Sequence, residues 1–282
     1  MAATFRRAAG AALVLLTLVP AAGSASAAGV ERMDYGGRPL IVYAPARLPP
    51  AGQRALVVVL HGGLGNADRI EAGGAEHGLN MDAAADQDGF LVAYVNGTPV
   101  TRNMGPQFLG WNAGGGCCGQ SAASGVDDVG YITGAATMLA QKYGVAPGRV
   151  FVMGHSNGAM MAQRLVCETS FFAVAVAVSG PLNLDIPRCP DGAGHRVLAI
   201  HGVDDANVPV KGGVGSKGFS QVSYHSEAAS QAAWRASGAA YTLRLVPGAD
   251  HPIDHIDAAL KAAGGQTVAE QAAAFFGLGP QP

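Results

Sequence analysis

Val150-Phe151-Val152-Met153-Gly154-His155-Ser156-Asn157-Gly158-Ala159-Met160-Met161 is the stretch that decides the fold. Its four leading apolar residues predict a buried strand over 150–153. The residues after the glycine predict a helix over 157–168. Between them, Gly154-His155-Ser156-Asn157-Gly158 fits the pattern G-x-S-x-G, whose serine requires a strand before it and a helix after it. The flanking glycines let strand and helix approach without Cβ clashes. The hydroxyl then stands above the sheet at a helix N-terminus, where free N–H groups face the reaction centre. Ser156 is therefore the expected nucleophile; the alternative is a structural turn with an N-capping serine.

Outward from this turn, apolar β-branched runs alternate with helical stretches. Strands are predicted over 39–43, 55–60, 90–95, 173–178, 196–200 and 241–246, and helices over 78–87, 127–143, 224–237 and 267–276. Asp127 and Asp128 fall in the first turn of the 127–143 helix, where the dipole favours carboxylates. Strands apolar on both faces that alternate with helices predict an α/β fold, a mostly parallel central sheet with helices on both faces. No repeat and no Pro- or Ser-rich linker divides residues 28–282, so one catalytic domain is expected there.

Residues 1–27 read as a signal peptide: Arg6 and Arg7, an apolar run over 8–19, and the cleavage pattern Ala25-Ser26-Ala27. The run is too short to span a bilayer comfortably, and no later run reaches 18 apolar residues. Secretion without stable membrane association is the expectation. Charged residues are only 13% and the formal net charge is −2, which excludes a nucleic-acid surface or a polybasic anchor.

Cys117, Cys118, Cys167 and Cys189 form an even set behind an export signal, which favours disulfides over a metal site. Adjacent cysteines have Cα atoms about 3.8 Å apart across a trans peptide, too close for an unstrained bridge. Each of Cys117 and Cys118 is therefore expected to pair with one of Cys167 and Cys189.

A nucleophilic serine needs a base, and the base an orienting acid, in the chain order Ser, Asp/Glu, His. After the strand ending at 200 comes His201-Gly202-Val203-Asp204-Asp205, and after the last strand comes Pro247-Gly248-Ala249-Asp250-His251. His251 is the expected base with His255 in reserve; Asp204 or Asp205 is the acid. His61 and His201, each before a glycine at a strand end, are expected to fix loop geometry. The oxyanion hole is expected to combine the N–H of Asn157 with that of Gly63 or Leu64. Trp111, in the long Gly-rich loop over 96–125, is read as a wall of the substrate pocket or as an ordinary packed residue.

The sequence resembles the secreted esterases grouped as polyhydroxybutyrate depolymerases and type-1 carbohydrate (feruloyl) esterases. The matching residues are Leu60-His61-Gly62-Gly63, Gly110-Trp111-Asn112-Ala113-Gly114, Cys117-Cys118-Gly119, Val126 to Tyr131, Gly154 to Met161, His201 to Asp205, Val208-Pro209 and Gly212-Gly213. The resemblance implies the α/β-hydrolase fold and ester hydrolysis without metal or cofactor. It also implies Asp205 as the acid, because the family's acid ends an H-G-x-x-D run before V-P. One departure stands out: where many members place an aromatic residue shortly after the histidine, this chain has His251-Pro252-Ile253-Asp254-His255. The implied substrate is a hydroxyalkanoate polyester or its oligomers, or alternatively a feruloyl or acetyl ester on plant polysaccharide. A catalytically silent binding protein on the same fold is the rival reading; the intact Ser, Asp and His argue against it.

Overall fold

Leu56, Val58 and Leu60 pack on one face of a sheet, and Val57 and Val59 on the other, so their strand is buried on both sides. That pattern requires helices above and below. The computed structural model describes residues 1 and 28–278, apart from 102 and 219; the expected signal peptide lies outside the described residues.

Eight strands form the main sheet: β1 Gly29–Tyr35, β2 Arg38–Ala44, β3 Arg54–Leu60, β4 Leu91–Val95, β5 Val145–His155, β6 Val174–Val178, β7 Arg196–Gly202 and β8 Ala240–Val246. Their spatial order is β1-β2-β4-β3-β5-β6-β7-β8. β1 and β2 run antiparallel, as do β2 and β4, and every other neighbouring pair is parallel. The helices are α1 Ala67–Glu71, α2 Asp82–Asp88, α3 Gly119–Ala123, α4 Asp128–Tyr143, α5 Asn157–Glu168, α6 Glu227–Ala236, α7 Ile253–Ala262 and α8 Val268–Phe276. Ile132, Leu139, Leu165 and Trp234 cover one face of the sheet from α4, α5 and α6. Ile70, Ala85, Ile256 and Ala272 cover the other from α1, α2, α7 and α8. This is the α/β-hydrolase fold, as expected.

The strand order reverses at β3 and β5. From β3 the chain moves to β4 on one side, and from β5 to β6 on the other. A crevice opens beyond the carboxyl ends of strands at such a switch point, the usual place for a ligand in an open α/β sheet. Leu60 lies opposite Gly154 in register, so the turns after the two strands are neighbours.

The chain departs from the expected elements in several places: α1 and α3 were not expected, α3 lying within the loop over 96–125, and β5 begins at Val145 rather than Val150. The predicted helix over 78–87 is a 3-10 turn, Gly74–Leu79, and then α2, because Asn80 is extended between them. Gly78 lies so close under α7 that a Cβ there would collide with Ile253. α7 follows immediately on His251-Pro252, where no element was expected. The edge strand β1 was not expected either; its burial pattern is largely exposed and offers little apolar periodicity.

The cysteine expectation is corrected. Cys117 bonds to Cys118, and Cys167 bonds to Cys189 across a Cα separation of 4.8 Å. The trans spacing behind the expectation does not apply. The Cys117–Cys118 peptide is cis, and the two Cα atoms are 2.9 Å apart.

Candidate active site

Ser156 occupies the tip of the turn between β5 and α5 with φ 55° and ψ −120°. A positive φ is unusual for a residue with a Cβ and stores strain that the surroundings must hold. They do so closely: the Ser156 N–H donates to the Val178 carbonyl at 2.8 Å. A Cβ on Gly154 would strike the Gly158 carbonyl, and one on Gly158 would strike the carbonyls of Leu60 and His61. The two glycines thus answer to contacts with backbone, which cannot move aside.

The turn after β8 carries His251 back over the serine. Its Nε2 lies 3.0 Å from Ser156 Oγ, and its Nδ1 2.7 Å from Asp205 Oδ2. The backbone of His251 is pinned as well: its carbonyl accepts from His155 Nε2 at 2.9 Å and from Ser179 Oγ at 3.2 Å. Burial lowers the His251 pKa below its ordinary value, and the Asp205 bond only partly opposes this. The imidazole is therefore neutral at neutral pH, with Nδ1–H donating to Asp205 and Nε2 free to accept from the serine.

Asp205 sits just past β7 and is buried. Its Oδ1 accepts from the N–H groups of Asn207 (2.8 Å) and Val208 (2.9 Å). Burial alone would raise its pKa, but hydrogen bonds from His201, His251 and the Val208 N–H hold it far below the ordinary carboxylate value. Asp204 is exposed, and His255 pairs at the surface with Asp250, Nδ1 to Oδ1 at 2.6 Å. The structure brings Ser156, His251 and Asp205 together and leaves Asp204 and His255 out.

The candidate oxyanion donors narrow to two. Leu64 is corrected: its N–H donates to the Leu109 carbonyl at 2.8 Å. The N–H of Gly62 donates to Glu76 Oε1 at 3.2 Å. Gly63, between them, has no N–H partner among the described residues. Asn157 opens α5, so its N–H has no intrahelical acceptor. Both residues line the cleft above Ser156.

That cleft has a volume of about 310 Å³. Its walls include Val100, Cys118, Val208, Lys217, Ser220 and Tyr224. Trp111 is not among them, so its reading as a pocket wall is corrected. It is fully buried, packs against His61 with tilted rings 4.9 Å apart, and donates its indole N–H to the His61 carbonyl at 2.9 Å. His61 is a neutral hinge: its Nε2 accepts from Gly97 N–H (3.1 Å), so Nδ1 carries the proton toward the Gly62 carbonyl (2.8 Å). Burial lowers its pKa accordingly.

Two groups near the site lay beyond sequence reasoning. Glu76 reaches His155 Nδ1 at 3.1 Å from 79 residues away. Burial would raise its pKa, but His155 and the Gly62 N–H hold it below the ordinary value. Glu227, from α6, holds His201 Nδ1 at 2.7 Å. Neither stands in a local motif; the H-G-x-x-D run containing His201 was the one available signal.

Comparison with known proteins agrees with this fold. The profile of the prolyl oligopeptidase family matches residues 81–186, a span that contains Ser156 but neither Asp205 nor His251. A candidate esterase, NocK, from Nocardia uniformis subsp. tsuyamanensis is 32% identical over 160 residues, which make up 56% of this chain. The match spans 42% of that relative's length. Among solved structures, a truncated carbohydrate esterase from gut microbiota superimposes with a TM-score of 0.59 at 14% identity, covering 92% of this chain and 98% of its own. An acetyl xylan esterase from Aspergillus awamori gives a TM-score of 0.55 at 15% identity, covering 89% and 99%. At these identities the structural likeness is one of fold.

Proposed function

We propose that this protein is an exported serine carboxylester hydrolase of the polyhydroxyalkanoate depolymerase-like type. The observation that carries the reading is the relay in the cleft: Ser156 Oγ 3.0 Å from His251 Nε2, and His251 Nδ1 2.7 Å from Asp205. In this reading His251 takes the serine proton as Ser156 Oγ attacks the ester carbonyl. The N–H groups of Gly63 and Asn157 hold the oxyanion. The tetrahedral adduct collapses, His251 returns its proton to the leaving alkoxide, and an acyl-enzyme remains. Water attacks the acyl carbon and gives a proton to His251; the second tetrahedral adduct collapses, His251 returns that proton to Ser156 Oγ, and the acid leaves. Asp205 keeps the imidazole in the required tautomer throughout.

The motif set running from Leu60 to Gly213 supports the polyester reading, and the basic and apolar start ending at Ala25-Ser26-Ala27 supports export. A feruloyl or acetyl ester on plant polysaccharide is the second reading. It is favoured by structural neighbours named for carbohydrate and acetyl xylan esters.

Ser156→Ala should lower turnover of a nitrophenyl ester by several orders of magnitude, and a fluorophosphonate should label the native protein but not the variant. Full activity in the variant, or a folded native protein that takes no label, would overturn the assignment. Release of hydroxybutyrate from its oligomers, of ferulate from methyl ferulate and of amine from a prolyl peptide amide then ranks the substrates.

A further inference from the structure

Asp205 is held by more than the catalytic histidine. Its Oδ2 is shared between His251 Nδ1 and His201 Nε2, the latter at 3.1 Å. His201 is fully buried, and its other nitrogen faces Glu227 Oε1 at 2.7 Å. Glu227 is itself buried in the first turn of α6, and Tyr241, on β8, donates its hydroxyl to Glu227 Oε2. His201 Nε2 also faces the Val208 carbonyl at 2.9 Å.

Every partner of the His201 ring is an acceptor: two carboxylates and a carbonyl. With both carboxylates ionised, both ring nitrogens donate and the ring is an imidazolium. Burial would lower its pKa, but Asp205 and Glu227 raise it to about 9. Burying two carboxylates and a cation is costly, and apolar residues of similar volume would serve packing as well or better. The groups facing this cluster are Asp205 after β7, Glu227 on α6, Tyr241 on β8, Tyr224 beside the cleft and His251 after β8, whose ring also packs 4.7 Å from that of His155 in the elbow. With His251 neutral, the three ionised groups sum to one negative charge. When His251 gains the serine proton, the cluster becomes neutral.

We propose that His201, carried on Glu227, is a positioning residue for the reaction: it fixes the Asp205 carboxylate toward His251 and supplies a resident positive charge beside it. The proposal rests on the serine-hydrolase reading. Two consequences separate it from a packing role. First, the His201 charge opposes protonation of His251, so removing it raises the His251 pKa. Second, deprotonating His201 puts a lone pair against Asp205 or Glu227, which releases the acid from its orientation.

The test is the rate of Ser156 labelling by a fluorophosphonate across pH, a readout independent of the natural substrate. Native protein that folds but takes no label would remove the hydrolase reading itself; the variants are read only against a labelled native protein. In His201→Gln, which keeps one donor for Asp205, the rate should fall about ten- to a hundredfold, the scale of one lost charge-assisted hydrogen bond. Its acid limb should move to higher pH. In Glu227→Gln, which leaves His201 in place, a basic limb should move down from near pH 9 toward neutrality. If His201→Gln does not fold, the Glu227→Gln limb decides alone. Native rates and native limbs in the folded variants, with only a lower melting temperature, would overturn the proposal.

Discussion

The side-chain amide of Asn157 clamps the backbone of Trp111: its Oδ1 accepts from the Trp111 N–H at 2.7 Å, and its Nδ2 donates to the Trp111 carbonyl at 3.0 Å. One residue thus ties the helix behind the nucleophile to the long loop that carries the Cys117–Cys118 pair and a wall of the cleft. The clamp needs an amide, with a donor on one side and an acceptor on the other. Asn157→Asp is the sharpest substitution, because it preserves shape and removes the donor. The Trp111 carbonyl would then face a carboxylate oxygen, in a site where both groups are buried. Leaving one buried acceptor unsatisfied costs about 1–3 kcal/mol, and burying the new charge adds to it. Thermal melting should show the loss, and ester turnover should fall with it. An unchanged melting temperature would mean that the clamp does not hold the loop.

Trp111→Phe tests the complementary point, that this residue supports the site from behind. The variant keeps most of the ring volume and deletes the bond to the His61 carbonyl. We expect about 1–3 kcal/mol less stability, for a buried carbonyl left without its donor. KM toward small aryl esters should stay near the native value, because the ring does not line the cleft. A KM that changes with acyl group size in this variant would restore the pocket-wall role.

Much of this arrangement was legible in the sequence, and the limits have physical causes. Ser156, Asp205 and His251 each stand past the carboxyl end of a strand, so chain order and strand position found the serine and the histidine and narrowed the acid to Asp204 or Asp205, and the family resemblance chose Asp205. The two glycines of the elbow were legible for the same reason, since their contacts are dictated by the turn itself. Trp111 stayed open between a pocket wall and a packed residue because a Gly-rich loop has no periodicity from which to read the direction of a side chain. Asn157, Glu76 and Glu227 act through contacts spanning 46, 79 and 26 residues, which leave no local pattern. The cysteine pairing turned on the local geometry of one peptide bond, which composition and spacing do not reveal.

The pH dependence follows from His251. In the proposed reaction its neutral form is the base, so the rate rises with pH through its pKa and levels off above it. Burial places that pKa below the ordinary histidine value of 6.5. The acid limb of kcat/KM for a nitrophenyl ester should therefore have its midpoint below pH 6.5, with the plateau reached by neutrality. A midpoint above pH 6.5 would indicate that Asp205 outweighs burial and that the resting base is largely protonated.

The Cys167–Cys189 bridge should contribute to stability and little to chemistry. It joins the last turn of α5 to the segment before β7 and closes a loop with a sequence separation of 22. Constraining a loop of that length in the unfolded chain is worth about 3 kcal/mol. The double variant Cys167→Ala, Cys189→Ala should lose on that order in guanidinium denaturation, including the smaller cost of the two buried sulfur atoms. Cys189 keeps a second tether, because its N–H donates to Ser237 Oγ at 2.7 Å, so the segment should hold its native path. Ser156 lies at the opposite end of α5, and turnover at 25 °C should remain within about twofold of native, as expected for substitutions remote from the reacting groups. A loss under about 1 kcal/mol would show that this cross-link does little to restrict the unfolded chain. A large fall in turnover with the fold intact would show instead that α5 transmits strain from the bridge to the nucleophile.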